Sequence, residues 1–235
     1  MPKPPPPAAP RPLRLGVHGS SPQPARIVAA AGYDPARVAH VLYDVREPFR
    51  LLRAGGLDLM LVKYALHEPD IVTSAPVTFD PRAALVRAGH PLAARDTLSV
   101  EDVAPYDAFH CPGDFPPYVW DEIVPLRTPR GRPIHRVRLM GTPADLVATL
   151  TGSDAVHLSF LSLEGSLPSS IRVIPVPDLP AAPVSLAWLR DAPPSPERDA
   201  FVAAAERSAL AAAERSALAA AEGRALAAAE RSADR

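Results

Sequence analysis

Residues 57–63 read Leu57-Asp58-Leu59-Met60-Leu61-Val62-Lys63, in which four consecutive apolar side chains separate an aspartate from a lysine. A strand sends successive side chains to opposite faces, so an unbroken apolar run belongs to a strand covered on both sides. Strands of that kind sit in the middle of α/β sheets. The preceding sequence supplies the rest of the unit. Leu13–His18 and Val38–Val45 are two further strand patterns, the second introduced by the Asp34-Pro35 turn. Between the three strands lie helical patterns at Ala25–Ala31, opened by Ser21 and Pro22, and at Glu47–Ala54, stopped by Gly55-Gly56. Strand–helix–strand–helix–strand predicts an α/β sheet with right-handed crossovers.

The pattern repeats loosely downstream. Ser99-Val-Glu-Asp102 and Thr142-Pro-Ala-Asp145 have the form of capping boxes, with an acid three residues after the cap. Further strands are expected at Asp107–Cys111, Val137–Met140, Val156–Phe160, Ile171–Val176 and Val184–Leu189. Two α/β lobes account for this order, with crossing segments near Ala83–Arg87 and Val184–Arg190.

The ends differ from this middle. Seven prolines in residues 1–12 remove amide donors and block helix, which predicts a disordered Pro-rich leader. The octad "AAAERSAL" at 203–210 recurs at 211–218, then as "AAAEGRAL" at 219–226 and "AAAERSAD" at 227–234. These residues are strong helix formers, so one long helix should start near Ser195-Pro196-Glu197, capped by Ser195. An eight-residue step advances about 80° beyond two turns. Leu210, Leu218 and Leu226 therefore spiral instead of forming a coiled-coil seam, which predicts an exposed helical tail over 203–235. The two-lobed domain spans 13–202.

Composition bounds the function. With 25 basic and 26 acidic residues the formal charge is −1, which gives no electrostatic footprint for nucleic acid or an anionic membrane. One cysteine, Cys111, rules out an internal disulfide and fits a reducing compartment. No run of about 18 apolar residues is present to span a bilayer. A soluble cytoplasmic protein is expected.

"LRAGGLDLMLVKYALHEPDI", "ALVRAGHPLAARDTLSVEDVAPYDAF" and "TPADLVATL" resemble the effector-binding domain of LysR-type transcriptional regulators, most specifically in "AGHPLAARDTLSVEDVA" at 88–104. "PVSLAWLRDAPPSPERDAFVAAA" is similar to that domain's last strand and closing helix. The resemblance covers roughly 13–209. It implies a type II periplasmic-binding-like fold, two lobes around a cleft for a small effector, and side-by-side antiparallel dimers. In that family a winged helix-turn-helix and a linker helix precede the first strand. Here only twelve residues do, so the expected unit is an effector-binding domain without its DNA-binding half.

In open α/β sheets, ligands collect beyond the carboxyl ends of strands, where helix N-termini point into the crevice. That rule selects His18, Ser20 and Ser21 after the first strand, and the resemblance supports the two serines as ligand contacts; Ser21 also reads as a plain helix cap. Thr142 stands at another helix start, facing the cleft if the resemblance holds, again as contact or cap. Lys63 and Tyr64 follow the buried strand and either neutralise a ligand carboxylate or form an exposed loop. Asp114, Tyr118 and Trp120 in "PGDFPPYVWDEI" suit an aromatic wall, or pack into the core. His110 and Cys111 end the strand before them and can line the pocket; adjacent strand residues face opposite ways, which argues against a Cys–His dyad. His157 and Ser159 share one strand face. The chain departs from the family at "LTGSDAV", which replaces a glycine-rich turn, and at His18 in the opening strand. The spacing of His18, His110 and His157 shows no metal site. No metal and no cofactor is expected.

Three functional readings follow. The first is a non-catalytic effector-binding module for a small anionic or aromatic metabolite, acting in transcription through a homodimer or a mixed dimer with a full-length LysR-type regulator. The second is an enzyme on the same fold, a lyase, dehydratase, cyclase or isomerase, with His18, His110 or His157 as general acid–base. The third takes residue 1 as a misassigned start, with a DNA-binding region encoded upstream.

Overall fold

The computed structural model describes residues 11–19 and 22–233, with side chains through residue 224. The first lobe is built as its opening pattern predicts. Strand β1 (Leu13–Val17) pairs in parallel with β2 (Val38–Leu42) and β3 (Leu59–Lys63), and α1 (Pro22–Ala30) and α2 (Arg50–Arg53) lie in the crossovers. The second helix is a single turn, shorter than expected over 47–54. Its start is delayed because Asp44 bonds the Arg46 amide at 2.9 Å in a local turn and Pro48 follows. It ends at Gly55 with φ +69°, as a glycine stop requires.

The chain continues through β4 (Ile71–Thr73) and β5 (Thr78–Asp80) into β6 (Arg82–Arg87), α3 (Val100–Val103), β7 (Asp107–Phe109), α4 (Pro117–Ile123), β8 (His135–Arg138), α5 (Pro143–Thr151), β9 (His157–Phe160) and β10 (Ile171–Pro175). It returns as β11 (Ala182–Leu189) and ends in α6 (Pro196–Ala233). The first lobe's sheet has the order β2-β1-β3-β11-β4, with β5 also on β11; the second lobe has an antiparallel β10-β6-β9 sheet and a parallel β7–β8 pair. Both expected capping boxes form, at Ser99/Asp102 and Thr142/Asp145.

Strand β3 shows why its apolar run is unbroken. Leu59 and Leu61 pack with Leu15, Ile27, Val28 and Phe201 on one face, whereas Met60 and Val62 pack with Phe49, Leu52 and Ile71 on the other. The second lobe has its own core around Leu85, Phe109, Trp120, Leu150 and Leu158.

The crossings are displaced from the expected positions. Residues 83–87 are interior to β6 of the second lobe, and 184–189 are interior to β11 of the first. The chain changes lobe at Pro81 and again over 176–181, which includes Pro177 and Pro180. Proline cannot donate to a ladder, so the switch falls there and the apolar runs stay paired.

Two charged side chains flank Pro81. Asp80 and Arg82 are each 2% exposed. Asp80 accepts from Lys63 Nζ at 3.0 Å, Gln23 Nε2 at 2.9 Å and the Ser162 amide at 3.1 Å. Arg82 donates to the Ser159 carbonyl at 3.1 Å, the Tyr64 hydroxyl at 2.8 Å, the Glu122 carbonyl at 3.0 Å and the Ile123 carbonyl. Tyr64, just past β3, is held at φ +66°, left-handed for a side-chain-bearing residue. Each charge is thereby bonded to both lobes.

The leader expected over 1–12 lies outside the described residues up to position 10. Arg11 does not belong to a free arm: it pairs with Asp58 at 2.7 Å, as Arg14 does at 2.9 Å. The long helix α6 starts as expected, with the Arg198 amide bonding Ser195 Oγ at 3.3 Å. Phe201, Val202 and Ala205 dock it on the first lobe, and beyond them Leu210 and Leu218 are 61% and 62% exposed. The side chain of Leu226 lies outside the described set. Among the described residues no helix is long and apolar enough to cross a membrane.

Arg82→Met removes the donor to the buried Ser159 and Ile123 carbonyls and to the Tyr64 hydroxyl. We expect urea denaturation to show a loss of about 3 kcal/mol or more; an unchanged unfolding free energy would contradict the structural role given to Arg82.

Candidate functional site

A cavity of about 600 Å³ lies between the lobes. The first lobe contributes the carboxyl ends of β1 and β3 and the β2–α2 loop; the second contributes α4, the start of α5 and one face of β9. This is where the parallel-sheet rule places a ligand.

Direct bonds join the lobes around the cavity. On the β2–α2 side the Asp114 amide donates to the Arg46 carbonyl at 2.7 Å. Gly113, at φ +48°, permits that approach, since a Cβ there would sit 2.5 Å from the Arg46 carbonyl oxygen. A second contact joins the loop after β3 to α4. Tyr118 stacks on His67 with ring centroids 4.2 Å apart, donates its hydroxyl to Glu68 at 2.7 Å and accepts from the His67 amide at 2.7 Å.

The charges facing the cavity are paired. Lys63 Nζ lies on Asp80 and 4.0 Å from the Phe160 ring centroid; burial pushes its pKa down, and Asp80 opposes that shift. Arg46 grips Asp44 by its guanidinium at 2.6–3.1 Å, hydrogen bonds that pull the Asp44 carboxyl down to about 2. Burial lowers the pKa of His18, whose Nδ1 is 3.3 Å from the Tyr43 carbonyl. Thr142 accepts from the Asp145 amide and donates to its carboxylate at 2.8 Å, so the cap uses its hydroxyl.

His157 is the exception. It is 6% exposed, edge-on to Phe109 at 5.3 Å and stacked on Trp120 at 6.0 Å. Its Nδ1 has no hydrogen-bond partner among the described residues. Burial, reinforced by Arg82 and His18, pushes its pKa down to about 3, so the ring is neutral at physiological pH. A buried polar atom left unbonded costs about 1–3 kcal/mol.

Of the residues singled out in the sequence, His18, Lys63, Trp120, Thr142, His157 and Ser159 line the cavity. Trp120 is also core, donating Nε1 to the Phe109 carbonyl at 3.2 Å. Tyr118 is not on the wall: its ring and hydroxyl are engaged by His67 and Glu68. His110 is exposed outside the cavity, its amide bonded to the Arg138 carbonyl, and Cys111 donates to the Phe115 carbonyl. His18, His110 and His157 therefore do not converge. Ser20 and Ser21 lie outside the described residues. Sequence reasoning missed the Asp44–Arg46 loop as a wall; the signal was an acid and an arginine two apart in "YDVREPF".

The family model described as the LysR substrate binding domain matches residues 31–210. The fold is similar to the effector binding domain of QuiR in complex with shikimate, at 18% identity over 83% of this chain and 95% of that one, TM-score 0.60. It is similar to full-length CbnR complexed with its target DNA, at 17% identity over 84% and 70%, TM-score 0.65. It is also similar to the CcmR regulatory domain of Synechocystis in complex with 2-PG, at 16% identity over 82% and 94%, TM-score 0.57. No curated protein sequence matches the chain.

The lowered pKa of His157 has a definite sign. Its folded value of about 3 lies below its ordinary 6.5, so protons bind the unfolded chain preferentially between those values. Its contribution is complete above pH 6.5 and is lost as pH falls toward about 3, at about 1.4 kcal/mol per pH unit. Urea titrations across that window should show His157→Phe flattening the slope relative to the parent chain. Parallel slopes would show that His157 titrates normally.

Proposed function

The chain belongs to the LysR substrate-binding domain family, and on that footing we propose that it is a small-molecule sensor whose lobes close on an effector in the interlobe cavity. The observation that carries this reading is a cavity of about 600 Å³ with walls from both lobes. A molecule touching both walls adds its contacts only in the closed arrangement, and its differential affinity shifts the lobes toward closure. The Arg46–Asp114 and Tyr118–His67 contacts are the bonds that closure makes. The QuiR and CcmR domains are in complex with small organic molecules, which supports an effector of that size here. The output is transcriptional regulation, reached through a homodimer or a mixed dimer with a full-length LysR-type regulator.

Catalysis on the same fold has less support. General acid–base chemistry is served by a group titrating near neutrality beside the substrate. His157 is held neutral and far from that range, and His110 faces away from the cavity.

A thermal-shift screen of small organic metabolites tests the sensor. A true effector should raise Tm by about 5–10 °C at a hundredfold excess over Kd. Leu146→Arg, which places a charge on the α5 wall, should remove that shift, read against the variant's own ligand-free Tm. A compound recovered chemically changed would contradict the reading in favour of an enzyme.

A further inference from the structure

The chemistry of the wall narrows what such a cavity accepts, an inference that rests on the cavity being the ligand site. Among its described residues the cationic side chains are Lys63 and Arg46, and each already has a carboxylate. Turning Lys63 toward a ligand anion would strip Asp80, which is 2% exposed, of the cation it is ion-paired with at 3.0 Å. Among the described residues, the starts of α1 and α5 on the wall offer little to an anion. Helix α1 has proline at its first and third positions, Pro22 and Pro24, where amide donors are otherwise free. Helix α5 begins with Pro143, and the Asp145 carboxylate occupies the Thr142 amide at 2.8 Å. The rest of the wall is dominated by apolar and aromatic side chains, among them Leu42, Leu66, Phe115, Trp120, Met140 and Leu163. Within it, the buried imidazole of His157 has its Nδ1 unbonded.

We propose that the cavity selects an uncharged, largely apolar aromatic molecule bearing one hydroxyl or amide group, which hydrogen-bonds to the His157 imidazole, and that it rejects the carboxylate of the same skeleton. Of the anionic and aromatic ligands expected from the sequence, this keeps the aromatic one and sets aside a carboxylate neutralised by Lys63. Lys63 is a structural cation, consumed by the crossing. The Trp120–His157 pair supplies a flat surface for an aromatic ring, and a group bonding the imidazole leaves the ligand without a formal charge to desolvate.

The test uses three probes near neutral pH on the full chain: 2-naphthol, 2-naphthoate and naphthalene, followed by titration calorimetry. 2-Naphthol should bind at least tenfold tighter than 2-naphthoate. His157→Phe should weaken 2-naphthol about tenfold and leave naphthalene unchanged. Asp44→Asn, which frees the Arg46 guanidinium, should strengthen 2-naphthoate and not 2-naphthol. Equal or tighter binding of 2-naphthoate by the parent chain overturns the ligand class, as does failure of 2-naphthol to bind. Naphthol binding unaffected by Leu146→Arg instead places the probe outside the cavity and overturns the sensor reading itself.

Discussion

Asp80 and Arg82 enter the interior on either side of Pro81, and the two lobes are arranged around what those charges require. A buried ion without partners is too costly to keep, so each must collect every donor or acceptor it needs from whatever packs against it. Asp80 takes Lys63 and Gln23 from the first lobe and the Ser162 amide beyond β9. Arg82 takes Tyr64 at the end of β3, carbonyls at the end of α4 and the Ser159 carbonyl on β9. The crossing strand is therefore fastened to the floor of the cavity, and the end of β3, α4 and β9 meet at one point.

That fastening explains how the cavity walls are set. Ser159 and His157 share one face of β9, so anchoring the Ser159 carbonyl also fixes the imidazole against Trp120. Lys63 is spent on Asp80, which removes it from ligand chemistry while keeping its stem on the wall. The floor of the cavity is held by these buried charges, and further contacts between the lobes lie around it, at Arg46–Asp114 and Tyr118–His67.

Much of the scaffold was legible in the sequence because it depends on neighbours along the chain. The apolar run of β3 announced a strand covered on both faces. The capping boxes at Ser99 and Thr142 needed only residues three apart, and the composition of α6 defined its helix. What failed depended on partners distant in sequence. Proline positions, not apolar runs, marked the crossings. Tyr118 was assigned to the wall because nothing local reveals that His67 stacks on it. His157 and Ser159 were grouped correctly by the strand period. The isolation of the imidazole, however, arises only when Phe109 and Trp120 close around it. The Lys63–Asp80 pair likewise joins two strands that are distant in sequence.

The central claim is that two lobes joined at the Asp80–Arg82 crossing close around an occupied cavity. Hydrogen exchange at the Asp114 and His67 amides, the rim donors contributed by opposite lobes, tests it most directly. With a compound that raises Tm, the account predicts that both amides slow together while those of β3, already protected, do not change. Protection confined to one lobe, or bound compound with neither rim amide slowed, would contradict it.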